Sequence, residues 1–129
     1  MTKNQISISV RGKKPAPWGN NEWAWRKVIA IEANKQKQFR GHAGGLLKFE
    51  VGIVFYLRTT TFKKSDLDNL AKPVLDTLFL PYDAQVKDKS LTGALFEMDD
   101  SQVHKLLLEK CLVNTYQEEG VDINVFWEE

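Results

Sequence analysis

The sequence is short of cysteine and of long apolar runs. Cys111 is the single cysteine among 129 residues, so neither an internal disulfide nor a cysteine-built zinc site can form. The longest apolar stretch, Val51–Leu57, is interrupted by Gly52. It falls far below the roughly 20 residues that a membrane span requires. The first dozen residues hold no unbroken apolar segment of the kind a signal peptide carries. Together these absences lead us to expect a reduced, cytoplasmic protein with no membrane partner. Hydrophobic residues make up 43% of the chain and charged residues 27%, which excludes disordered, collagen-like and coiled-coil chains. The length suits one domain over residues 1–129, with a core large enough to need no metal or disulfide staple.

A net charge of +1 hides an asymmetry. Residues 1–72 hold 14 Lys/Arg against 5 Asp/Glu, a balance of +9, and residues 73–129 hold 4 against 12, a balance of −8. Clustered cations attract phosphate and release its counterions, so the basic half points to a polyanion such as nucleic acid. The plainer alternative is that the two halves neutralise each other in the fold.

Ile6, Ile8 and Val10 alternate with polar residues and predict a half-buried strand. The stretch 13–21 holds two Pro, a Gly and two Asn and reads as a loop. Trp25, Val28, Ile29 and Ala33 follow helical spacing within 23–37, with Asn21 as a candidate cap. Residues 46–58 form the strongest strand signal, apolar enough for a central position. A polar, basic turn over 59–64 follows, then a helix over 69–79 whose Pro73 either lies near its first turn or kinks it. Short strands are expected over 94–98, 103–113 and about 121–125. The sum is an α+β domain of about five strands and two main helices.

The chemistry concentrates at Lys63-Lys64-Ser65-Asp66-Leu67-Asp68-Asn69-Leu70-Ala71-Lys72. In an extended backbone Asp66 and Asp68 project to one side, and two converging carboxylates repel unless a cation lies between them. Mg²⁺ favours such oxygen donors and often holds a substrate phosphate as well. Lys72 stands four residues after Asp68, placed to neutralise a carboxylate or to meet a phosphate. Helix N-capping by Ser65 or Asp68 accounts for the same residues without chemistry. A second acidic pair, Asp99-Asp100, lies between two apolar segments and is harder to read as plain solvated surface.

The run Asp66-Leu67-Asp68-Asn69-Leu70-x-Lys72-x-x-Leu75-Asp76-x-Leu78, followed by Asp99-Asp100-Ser101-Gln102-Val103, resembles the RusA-type Holliday-junction resolvases. That family carries an Asp-x-Asp-Asn-x-x-Lys segment leading into a helix and later an Asp-Asp-x-Gln-Val/Ile segment leading into a strand. The likeness covers residues 65–78 and 99–103 directly and the first 45 residues only loosely. It implies a RusA-like fold with a mixed sheet and a small homodimeric endonuclease dependent on Mg²⁺ or Mn²⁺. Such enzymes, often carried by phages, nick four-way DNA junctions symmetrically in recombination and repair.

By position, Asp66, Asp68 and Asp100 match the family's essential acids, Asp99 the acid beside the third, and Lys72 its active-site lysine. The stretch between helix and Asp99 is longer than the family pattern. Within it, Asp83-Ala84-Gln85-Val86 partly repeats the second signature, which makes Asp83 a rival for the third acid. Lys13, Lys14, Arg26, Lys27, Lys63 and Lys64 are the candidate DNA contacts, and no small-molecule substrate is expected. His42 and His104 are isolated and read as surface or packing residues. Trp18, Trp23, Trp25 and Trp127 could stack on bases, but core packing is the preferred reading. Two other functions fit the same residues: a non-catalytic DNA-binding homodimer of this fold, or a nuclease acting on other branched DNA.

Overall fold

A computed structural model of the chain describes residues 3–19, 22–36, 48–79, 91–96 and 100–128. Four strands form one mixed sheet: β1 (Lys3–Arg11), β2 (Phe49–Leu57), β3 (Val103–Leu112) and β4 (Gly120–Glu128). Their order across the sheet is β1-β4-β2-β3. β4 runs antiparallel to both neighbours, and β2 and β3 are parallel. Three helices accompany them: α1 (Trp23–Lys35), α2 (Thr59–Lys64) and α3 (Leu67–Leu78). The architecture is α+β, as the sequence predicts, with four strands among the described residues.

Period-two patterning builds the sheet. Alternate residues of β2 (Phe49, Val51, Ile53, Phe55, Leu57) and of β4 (Val121, Ile123, Val125, Trp127) are buried on one face. α1 covers that face with Trp25, Ile29, Ala30 and Ala33, and α3 with Leu70, Ala71, Val74 and Leu78. The opposite face is polar. On it Asp122 accepts hydrogen bonds from Ser9 Oγ (2.7 Å), Tyr56 Oη (2.7 Å) and Arg11 (3.0 Å).

Several boundaries differ from the sequence expectations. Residues 59–64 form the helix α2 and not a turn; the N–H of Phe62 reaches the carbonyl of Arg58 at 2.9 Å. Of the strand expected over 94–98, residues 97–98 lie outside the described residues, and 94–96 form turns: the N–H groups of Leu95 and Phe96 both donate to the carbonyl of Leu78, and that of Ala94 to Thr77. The segment satisfies carbonyls that the end of α3 leaves open. Phe96 then packs with Phe49 (4.6 Å between centroids), Phe79 (5.3 Å) and Trp127 (5.2 Å). Deleting one such buried ring costs about 3–5 kcal/mol, so this aromatic cluster fixes where the chain re-enters the sheet.

Candidate functional site

Asp66 occupies the N-cap position of α3 with extended backbone (φ −86°, ψ 143°), and its carbonyl accepts the first helical bond from Leu70. Its carboxylate makes no capping hydrogen bond and is exposed. Asp68, also exposed, lies in the first turn and accepts from the N–H of its neighbour Asn69, at 3.0 Å. Capping therefore explains the backbone here but leaves the Asp66 carboxylate unspent. The helix begins between the two residues, so the alternation of an extended chain does not relate them. Both acids belong to one helix N-terminus, whose dipole favours negative charge.

Lys72 does not pair with Asp68. Its Nζ is 3.5 Å from Asp76 Oδ2, one turn further along, and 5.9 Å from the centroid of the Trp18 ring. Asp76 is 4% exposed. Burial pushes its carboxyl above the usual range, and the nearby Lys72 and Arg26 only partly oppose that. The i, i+4 spacing of Lys72 and Asp76 was the signal in the sequence for this partner.

Pro73 is the seventh residue of α3, well inside it. Lacking an N–H, it leaves the carbonyl of Asn69 without its helical donor. The N–H of Trp18 fills that place at 2.8 Å. This bond holds the N-terminal loop across the first turns of α3 and sets Trp18, 55% exposed, beside Lys72. Trp23 is likewise exposed, with Lys27 Nζ 4.9 Å from its ring, whereas Trp25 and Trp127 are buried. The core reading thus holds for two tryptophans and is corrected for the other two.

The candidate DNA contacts divide. Lys63 and Lys64 are exposed in the last turn of α2, directly before the acids. Lys14 lines a groove with Arg58, Thr59, Thr60, Thr61 and Asn114. Lys13 is half-buried, its N–H directed at the carbonyl of Glu119. Lys27 is exposed on α1. Arg26 is corrected: only 7% exposed, it donates from Nε to Thr77 Oγ1 (2.9 Å) and from a terminal nitrogen to the carbonyl of Leu91 (3.0 Å). It ties α1 to α3 and to the segment behind α3, and it cannot reach DNA. The basic and acidic halves do meet, through Arg11–Asp122 (3.0 Å) and Arg58–Glu119 (2.9 Å). Lys13, Lys14, Lys27, Lys63 and Lys64 take no part in those pairs.

Asp100 opens a short 3₁₀ turn at the start of β3. Lys110, near the other end of β3, donates from Nζ to the carbonyls of Phe62 (2.8 Å) and Ser65 (3.0 Å), so Asp66 sits at that end. The seven residue-to-residue steps from Val103 to Lys110 span about 23 Å. The twelve residues of α3, which run back along the sheet, span about 18 Å. Asp100 and the pair Asp66/Asp68 therefore stand at opposite ends of the sheet, and these three described acids do not come together within one chain. Among the described residues, no three His, Cys, Asp or Glu side chains come together. Asp99, Asp83 and His42 lie outside the described residues. His104 is exposed on β3. No helix among the described residues is long and apolar enough to cross a membrane.

Compared with known proteins, the chain matches no family model and no curated protein.

Proposed function

We propose that the chain is a divalent-metal-dependent endodeoxyribonuclease that nicks four-way DNA junctions as a homodimer, in recombination and repair. The observation that carries this reading is the exposed pair Asp66 and Asp68 at the start of α3. Among the described residues neither is ion-paired, the Asp66 carboxylate is not used as a cap, and lysines 63, 64 and 72 surround them in sequence. Two carboxylates with free oxygens suit a hard cation, Mg²⁺ or Mn²⁺. Asp66 and Asp68 would hold it, completed by Asp100 of the partner subunit with Asp99 beside it. When bound, such an ion makes a coordinated water more acidic and offsets charge on the phosphodiester.

The chain's own groups supply the rest. Lys72, half-exposed and steadied by Asp76, presents a point charge to the phosphate as negative charge builds in the transition state. Lys14, Lys63 and Lys64 bind the backbone without reading sequence. Trp18 and Trp23 offer flat faces to bases unstacked at a branch point.

The test is a nicking assay on a synthetic four-way junction and on matched linear duplex, with Mg²⁺ and with EDTA. Nicks on the junction that require Mg²⁺ and vanish in Asp66→Asn and Asp68→Asn support the reading. Junction binding without cutting in any divalent ion marks a pure binder. Equal or better cutting of flaps than of junctions moves the substrate to other branched DNA.

A further inference from the structure

β3 is unlike the other strands. It lies at the sheet edge, with β2 on one side and no strand on the other among the described residues. None of its ten residues is buried, whereas β2 buries every second residue. It nevertheless carries Leu106, Leu107 and Leu112 as exposed large side chains, Leu107 at 62%. An edge strand with leucines on both faces is a template for pairing, and proteins that stay single usually blunt such an edge.

The register with β2 assigns the faces. Leu106 and Leu108 stand opposite Val51 and Ile53, on the helix-covered side; Lys105, Leu107 and Glu109 stand opposite Glu50, Gly52 and Val54, on the open side. We infer that β3 pairs antiparallel with β3 of a second copy about a two-fold axis at Leu107. One register satisfies the charges. With Leu107 facing its own equivalent, Lys105 faces Glu109 of the partner subunit, and symmetry repeats the pair. Leu106 then faces Leu108 of the partner subunit, which extends the core across the axis. A shift of two residues either way breaks both ion pairs, and a shift of one sets open-face side chains against helix-face ones.

The result is one eight-stranded sheet with all helices on the same side. Antiparallel pairing also lays the start of one β3, with Asp100, beside the end of the other, where Lys110 holds Ser65. The interface itself requires no cleavage chemistry, so mass and cross-linking test it apart from the nuclease reading.

Sedimentation of the full chain should give a dimer of twice 14.8 kDa. Lys105→Glu or Glu109→Lys alone sets like charges opposite each other and should weaken the dimer by about tenfold. The double swap should restore it. In a Cys111→Ser background, Leu107→Cys should form a covalent dimer on mild oxidation, because the residue meets itself on the axis. A monomer at every concentration overturns the interface and means that another partner covers the edge. A dimer that ignores both charge changes and does not cross-link overturns it equally, since a different surface then joins the copies.

Discussion

The backbone N–H of Trp18 donates to the carbonyl oxygen of Asn69 at 2.8 Å, closing the gap that Pro73 opens in α3. A helix-breaking residue is thereby used to anchor a loop. Pro73→Ala returns an N–H to the helix, which then competes with Trp18 for the same acceptor. The expected outcome is hydrogen exchange at the Trp18 amide at least about tenfold faster, with stability changed by less than about 1 kcal/mol because one hydrogen bond replaces another. Unchanged protection at Trp18 would show that the loop is held by other contacts.

Arg26 and Lys27 are neighbours in sequence with opposite fates. Arg26→Ala removes buried bonds to Thr77 and Leu91 and should cost about 2–4 kcal/mol of stability in chemical denaturation. Lys27→Ala, on the exposed face, should stay within about 0.5 kcal/mol and weaken DNA binding with a smaller salt slope.

That contrast shows where the sequence is legible. Alternation of apolar and polar residues marks β1, β2 and β4, because each has one face in the core. The 3.6-residue period marks α1 and α3 for the same reason. Composition alone cannot separate Arg26 from Lys27, since burial depends on Thr77 and Leu91, 51 and 65 residues away in the chain. α2 is missed because Thr-Thr-Thr-Phe-Lys-Lys has poor helix formers at its start. The separation of Asp100 from Asp66 is a property of the parallel β2–α3–β3 crossover, and matching two segments in order along the chain carries no distance between them.

Asp76 makes stability depend on pH in a defined direction. Its carboxyl is held above the usual range by burial, so the folded state binds its proton more tightly than the unfolded chain does. Stability from this group is therefore greatest at low pH and is lost as pH rises from the ordinary carboxylate value through the raised one. Asp76→Asn removes the ionisation while keeping the shape. The melting temperature of the variant should exceed that of the parent at pH 7.5, and the difference should shrink towards pH 4. A lower melting temperature at pH 7.5 would mean that the Lys72 pair outweighs the burial of the charge.

The distance between Asp66 and Asp100 sets the most discriminating prediction. Asp66→Asn and Asp100→Asn should each abolish nicking as pure homodimers. Co-expressed with different tags and purified as mixed dimers, they behave differently under the two possible arrangements. If each centre draws all its acids from one chain, both centres of a mixed dimer carry a lesion and the mixture stays dead. If Asp66 of one subunit works with Asp100 of the other, one centre of the mixed dimer collects both lesions and the other collects none. The purified mixed dimers then carry about half of the parental centres, since each keeps one intact centre of two. Each mixed dimer should leave a single nick in the junction instead of the paired cuts of the parent. Asp68→Asn with Asp66→Asn, two lesions from the same helix end, should not complement. Restored nicking in that control, or none in the first pair, would place all the acids of a working centre differently from the arrangement proposed above.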